Sequence, residues 1–319
     1  MFMVNIPSRT SGPDLPERLP AGIPGSPSGS LLGIDAGGSA TRMVIVADDA
    51  IRWRGSAPPM NARLTGDLED RLLALIKPTD ATGVGIGMPG LRSTREAADL
   101  GRSLTERAGR PVYITNDGVT TWLGAFGTEP GIVVYAGTGS GAVGCDGTRW
   151  ARAGGHGFVL GDEGGAYWIG RTAVNAALRW SDGLGAGSRA LHDAIDSIAD
   201  LDTQVRDVTS HPAERMRITR FAPIVTELAA TDEAARGIAL EAAGHLADLA
   251  HAIRRVLGPL PVTGTGGVLG DPLIWAEFEA LTGASRPLAP PEVGAALLAA
   301  TPRARDAVAG DPVRLADDG

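Results

Sequence analysis

The chain has 319 residues, a net charge of −8 and a single cysteine, Cys145. One cysteine excludes an internal disulfide framework and any multi-thiolate cluster within one chain. An acidic balance with no basic run beyond a few residues argues against nucleic acid as a partner. No window supplies the roughly 18 apolar residues of a membrane span, and the N-terminus lacks a charged-then-apolar secretory pattern. A cytoplasmic protein without membrane partners is therefore expected. The length suggests about two domains. Its 45 glycines cluster at turns, as in an α/β enzyme with ligand-facing loops. An anionic ligand would have to be held by backbone amides, helix N-termini and a metal.

Residues 1–29 are rich in Pro, Ser and Gly and read as a flexible extension that buries too little surface to offset its ordering. The fold is expected to begin near Ser30. Residues 31–46, LLGIDAGGSATRMVIV, read as strand, turn and strand. The turn glycines let a bulky anion approach the backbone, and successive amides form a concavity for phosphate oxygens. Asp35 stands at the mouth of that turn. A carboxylate beside phosphate calls for a bridging cation such as Mg²⁺. The alternative is an ordinary hairpin whose polar turn faces water.

Residues 51–54 continue as a third strand. Asn61 follows in a Pro-stiffened loop, where its amide offers a donor and an acceptor to a hydroxylated ligand or stabilises a turn. Helical spacing covers 68–76. The run TGVGIGM (82–88) reads as a buried strand whose glycines mark close approach of a ligand or of backbone. A helix over 94–108 and a strand over 112–115 lead into Asn116-Asp117-Gly118. Asp117 thus ends an apolar strand, where reactive groups collect in α/β proteins, or else caps a helix beginning near Val119.

Residues 131–135 form the next strand, and AGTGSGAVG after it repeats the opening device. Thr138, Gly139 and Ser140 would supply amide and hydroxyl donors to a second set of phosphate oxygens. Two such hairpins about a hundred residues apart suggest two similarly built domains facing a shared cleft. In AGGHGFVLGDEGGAYWIG (153–170), the pair Asp162-Glu163 suits hydrogen bonds to sugar hydroxyls or else faces solvent. His156 has no second histidine at ligand spacing and receives no metal role. Residues 187–257 read as helical scaffold. The turn at Gly266-Gly267 lets a flat ring lie on bare backbone. Helices over 274–282 and 290–301 follow, the latter with Gly294 near its first turn. The residues beyond 302 are expected to fray.

Taken in order, GIDAGGSATR, GMPG, TNDG, AGTGSG, GDEGGAYWIG, TGTGGV and GAALLA resemble the sugar kinase and actin-like ATPase superfamily. Within it they resemble the N-acetylglucosamine kinase branch, grouped with the activator ATPases of acyl-CoA dehydratases and benzoyl-CoA reductases. The resemblance implies an α/β fold of two actin-like (ribonuclease H-like) domains, each with a five-stranded mixed sheet, and a cleft between them. The domains would span 30–128 and 129–301, with the last helix free to pack back on the first domain and a flexible tail over 302–319.

The resemblance also implies ATP and Mg²⁺ as cofactors and an amino sugar as substrate. Asp35 would hold Mg²⁺ through water, and Asp117 would be the general base. Gly37, Gly38, Ser39 and Thr41 would form the first phosphate motif, and Thr138, Gly139 and Ser140 the second. Gly266, Gly267 and Gly294 would lie beside the nucleotide. Asn61, Asn116, Asp117, Gly139, Asp162 and Glu163 would contact the sugar. The first turn departs from the family in Ser39 and Ala40, where Thr and a basic residue are usual. His156 stands where Trp is frequent.

The implied reaction moves the γ-phosphoryl group of ATP to O6 of N-acetylglucosamine. Glucosamine is the runner-up acceptor. An activator-type ATPase would need cysteine ligands from each chain for a shared iron–sulfur cluster, against which the lone Cys145 speaks. Repressor-type glucose kinases carry a cysteine-rich zinc motif that is missing here. A non-catalytic sugar sensor is the remaining rival, and a homodimer is left open.

Overall fold

The structure is a computed structural model that describes residues 17–19, 29–37, 40–185, 187–198 and 212–307. Gly38 and Ser39 lie outside the described residues, as do most of 1–28 and all of 308–319. The chain divides into two compact units. Unit 1 takes in the chain up to Val133, Val143–Ala151, and the chain from Arg286 onward; unit 2 comprises Val134–Ala142 and Arg152–Ser285.

Six strands and five helices are assigned up to residue 126 and at the C-terminal end of the described chain. The strands are β1 (Glu17–Arg18), β2 (Leu31–Ala36), β3 (Thr41–Ala47), β4 (Ala50–Ala57), β5 (Gly83–Met88) and β6 (Val112–Asn116). The helices are α1 (Leu68–Ile76), α2 (Thr94–Ala108), α3 (Asp117–Phe126), α9 (Pro291–Ala300) and α10 (Pro302–Ala307). The sheet order is β1-β4-β3-β2-β5-β6. β2 pairs antiparallel with β3 and parallel with β5, and β5 pairs parallel with β6. This sheet therefore has six strands, not the expected five. The extra strand comes from the N-terminal extension, where Glu17 and Arg18 pair with Ile51 and Ala50.

The two faces of this sheet follow from the alternation of side chains along each strand. Leu32, Ile34, Val84, Ile86 and Met88 share one face and pack into a core with Leu72, Ile76 and Leu104 of α1 and α2. Gly33, Asp35, Gly85 and Gly87 share the other. A Cβ on Gly33 would stand 1.9 Å from the Glu292 carbonyl oxygen, and one on Gly85 would stand 1.8 Å from that of Ala295. Only bare backbone fits beneath α9. The close approach marked by the glycines of β5 is thus that of a helix, not of a ligand. On the same principle, a Cβ on Gly294 would lie 1.9 Å from the Thr120 carbonyl oxygen of α3. The tail departs from expectation as well, because 302–307 forms α10.

The remaining elements are β7 (Gly131–Ala136), β8 (Ser140–Cys145), β9 (Trp150–Gly154), α4 (Ala166–Ser181), α5 (Arg189–Ile198), a 3₁₀ segment (Pro212–Phe221), α6 (Ala222–Leu228), α7 (Glu233–Leu257), β10 (Val262–Thr265) and α8 (Pro272–Thr282). The second sheet runs β10-β7-β8-β9 and has four strands rather than five. α7 buries one stripe that includes Ile238, Ala242, Leu246, Ala250 and Ile253, the i, i+3 and i+4 spacing of an amphipathic helix. No described helix is long and apolar enough to cross a membrane.

Candidate active site

In unit 1 two candidate acids stand where β2 and β6 end. Asp35 is the fifth residue of β2 and pairs in register with Arg42. It is buried, with its carboxylate 3.9 Å from the Arg42 guanidinium. Burial pushes its pKa up to about 7; the negative charges of Asp117 and Glu292 add to the rise and Arg42 opposes it. Desolvation disfavours the charged form, and like charges add to that cost.

Asp117 is the first residue of α3. The N-cap is Asn116, whose side-chain oxygen accepts the Gly118 amide at 3.0 Å. The helix therefore starts two residues before the expected Val119, and Asp117 need not serve as its cap. Asp117 Oδ1 also accepts the Gly118 amide at 3.1 Å. Burial pushes its pKa up to about 6, against the lowering effect of the Gly118 amide and its own. As a residue Asp117 is half-buried.

A third acid, Glu292, heads α9. Sequence reasoning passes over it. It is buried; Oε1 accepts from Arg54 at 3.1 Å, while Oε2 has no hydrogen-bond partner among the described residues. The signal is present in the residue order, because this Glu opens a helix that is otherwise apolar and small all round. A buried helix buries its acid too.

Two expected ligand groups in unit 1 are committed elsewhere. The Thr41 hydroxyl donates to the Pro58 carbonyl at 2.9 Å in a fully buried position, so it is not a phosphate donor. Gly294 lies buried against α3 and supports helix packing, not a nucleotide. Gly37 stays at the turn, where a Cβ would meet the Ala40 carbonyl oxygen at 2.9 Å. Asn61 adopts the turn role: its side-chain oxygen accepts the Arg63 amide at 2.8 Å and its own backbone amide donates to Thr65 Oγ1. Arg63 Nε in turn donates to the Gly90 carbonyl.

In unit 2 the loop after β7 is clamped by the start of α4. The amide of Ala166 donates to the Gly137 carbonyl at 2.8 Å and that of Tyr167 to the Thr138 carbonyl at 3.0 Å. Asp162 sits against Gly139, where a Cβ would come within 2.3 Å of its carboxylate. It holds a left-handed φ of 61°, and Oδ1 accepts the Gly157 amide at 3.2 Å. Burial raises its pKa, and the amides of Gly157 and Ser140 counter the rise. Ser140 is a further correction. Its hydroxyl donates to the Glu163 carbonyl at 2.6 Å, which ties the start of β8 to the acidic loop and takes that hydroxyl away from phosphate.

Unit 2 also holds a cavity of about 550 Å³ that Gly137 and Thr138 line from one side and Gly267 and Val268 from another. Gly266 has φ +101° and packs on the Ala136 carbonyl, so the turn needs glycine there, while Gly267 faces open space. The sequence reading misses Thr219, Pro223 and Thr226, which close the cavity. They come from a helical stretch with no phosphate-type pattern. A volume of this order suits a small organic ligand. Asp35, Asn61, Asn116, Asp117 and Glu292 belong to unit 1; Thr138, Gly139, Asp162, Glu163, Gly266 and Gly267 belong to unit 2.

Among the described residues no three His, Cys, Asp or Glu form a group able to hold a metal directly. The orphaned Glu292 oxygen and the buried Asp35 instead suit a divalent cation that keeps its water shell, the habit of Mg²⁺.

Buried acids at strand ends, a glycine loop clamped by a helix N-terminus and a ligand-sized cavity define an α/β protein of the phosphate-handling ATPase class. The chain belongs to the BadF/BadG/BcrA/BcrD ATPase family, which it matches over residues 32–299. It is 29% identical over 184 residues to the N-acetylmuramic acid/N-acetylglucosamine kinase of Clostridium acetobutylicum. That stretch is 52% of this chain and 59% of that protein, so the chain spans less than two thirds of the curated relative it matches.

Among solved structures it is similar to a protein of Chromobacterium violaceum provisionally assigned as an N-acetylglucosamine kinase. The two are 26% identical with a TM-score of 0.69, over 85% of this chain and 98% of that one. A likewise assigned protein of Porphyromonas gingivalis shares the fold at 18% identity, with a TM-score of 0.70 over 83% and 97% of the two chains.

Proposed function

We propose that the protein is an ATP-dependent sugar kinase that phosphorylates N-acetylglucosamine at O6. The observation that carries this reading is Asp117, a partly exposed acid at the end of β6 that is relieved of capping duty and has a pKa raised to about 6, in a chain of this ATPase family. Similarity to a relative that acts on N-acetylmuramic acid and N-acetylglucosamine supports the amino-sugar class.

In the proposed reaction Asp117 accepts the proton of the attacking hydroxyl. A carboxylate within hydrogen-bond reach both orients and deprotonates an alcohol. The sugar oxygen forms a bond to the γ-phosphorus while the bond from that phosphorus to the β-phosphate oxygen breaks, and ADP leaves with the electron pair. Such chemistry depends on positioning and charge compensation. The cavity beside Gly267 and Thr138 would take the nucleoside, and the loop amides at Thr138 and Gly139 the phosphates. Bound Mg²⁺ would offset charge on the phosphate oxygens; Asp35 would hold it through water. Asp162 and Glu163 would orient sugar hydroxyls.

Cys145 is buried and its sulfur accepts the Gly147 amide at 3.3 Å, which favours the kinase over an activator with a cluster shared between chains. The test is a coupled ADP-release assay with N-acetylglucosamine, glucosamine, N-acetylmuramic acid and glucose, followed by ³¹P NMR of the product. ADP release that depends on N-acetylglucosamine, with a 6-phosphate product, is expected. Release indifferent to every sugar would overturn the kinase reading, and a preference for glucosamine would move the acceptor.

A further inference from the structure

Glu292 is a buried acid for which the proposed mechanism has no use. Its side chain is 7% exposed, against 43% for its partner Arg54. Oε1 is neutralised by that guanidinium at 3.1 Å, and Oε2 faces no donor among the described residues. A buried carboxylate oxygen without a donor is costly to retain. Its place is fixed by the fold. The Glu292 backbone lies directly over Gly33, and Gly33 precedes Asp35 by two residues on the same face of β2. Arg54 shares that face, being aligned with Val44 and so with Gly33 across the sheet.

We infer that Glu292 is a positioning residue for the divalent cation: its unpartnered Oε2 accepts from a water of the cation's hydration shell, the shell that Asp35 also holds. This rests on the kinase reading above and deepens it. Asp35 alone gives one carboxylate, and Mg²⁺ bound through water is held by acceptors around its shell. Arg54 limits the effect by drawing off one of the two Glu292 oxygens. It also keeps the acid from being an uncompensated buried charge before the cation arrives.

The test is a titration of Mn²⁺ into the full chain at pH 8, followed by the loss of the free-ion EPR signal, with no turnover involved. Glu292→Gln keeps the volume and removes the charge. It should weaken Mn²⁺ binding about tenfold, the effect of losing an outer-shell partner, and Asp35→Asn should weaken it at least as much. Arg54→Gln frees Oε1 and removes a positive charge, so it should tighten Mn²⁺ binding a few-fold. A purely structural Arg54–Glu292 pair would instead shift both variants in the same direction. Mn²⁺ binding within twofold of wild type in Glu292→Gln, with loss in Asp35→Asn, would overturn the role of Glu292 and leave Asp35 standing. Unchanged binding in Asp35→Asn would overturn the assignment of Asp35, and this inference with it. If Glu292→Gln fails to fold, weaker or unchanged binding in Arg54→Gln overturns the role by itself.

Discussion

Asn116 takes the capping duty that would otherwise fall to Asp117. Its side-chain oxygen accepts the Gly118 amide at 3.0 Å and starts α3. Under the proposed function, two adjacent polar residues thus divide one structural task and one chemical task. Asp117→Asn should lower turnover by about 10²–10⁴, the usual contribution of a general base, and leave sugar affinity nearly intact. Asn116→Ala should instead cost about 1 kcal/mol of stability through the lost cap. Steady-state kinetics and chemical denaturation of both variants check the division.

The raised Asp117 pKa has a stability consequence with a definite sign. Its folded value of about 6 lies above the ordinary 3.8, so the folded state binds the proton more tightly. Its ionisation costs stability as pH rises from about 4 to 6, and the cost is complete above that window. Asp117→Asn should therefore stabilise the ligand-free protein at pH 8 and not at pH 4. We expect about 1–2 kcal/mol, because a tenfold change in proton affinity is worth roughly 1.4 kcal/mol and partial exposure discounts it. Urea melts at the two pH values measure it. Activity should likewise rise with pH through about 6, as the base becomes ionised.

Gly266 and Gly267 are neighbours with opposite tolerances. Gly267→Val should fill part of the 550 Å³ cavity and raise the KM for ATP at least about tenfold, with little change in melting temperature, since nothing lies within 4 Å of its added Cβ. Gly266→Val meets the Ala136 carbonyl at 2.3 Å with φ +101° and should unfold the turn. Thermal melts beside ATP titrations separate the two.

Beneath α9 the sheet admits no side chain at Gly33 or Gly85. Gly85→Ala puts a methyl 1.8 Å from the Ala295 carbonyl oxygen. It should cost about 3 kcal/mol or more, at the upper end of overpacking, because backbone and not a flexible side chain must yield. Denaturant titration gives the value, and Gly109→Ala, where nothing lies within 4 Å and φ is +67°, gives the contrast of a purely conformational penalty.

Much of this is legible in the residue order. The strands at 31, 83, 112 and 131 announce themselves as apolar runs closed by glycine or by Asn-Asp, and Asp35 and Asp117 stand out as acids at strand ends. The hydroxyls of Thr41 and Ser140 mislead. A hydroxyl beside a glycine turn looks like a phosphate donor, yet which acceptor it meets depends on what packs over it, here the Pro58 and Glu163 carbonyls. Glu292 hides behind its helix position, and Thr219 and Thr226 join the cavity only through tertiary folding. The strand at Glu17–Arg18 is too short and too flanked by proline for any periodicity to reveal it.

Unit 1 is discontinuous in the chain, and its sheet is roofed by α9, the next-to-last described helix. On a ribosome, the strip of bare glycine backbone at Gly33 and Gly85 therefore waits uncovered until residue 300 has left the exit tunnel. By then the whole of unit 2 has already been made. Synthesis order and assembly order are thus inverted for the first-made half of the molecule. A message truncated before codon 291 would release a chain with its earliest strands still lacking their lid.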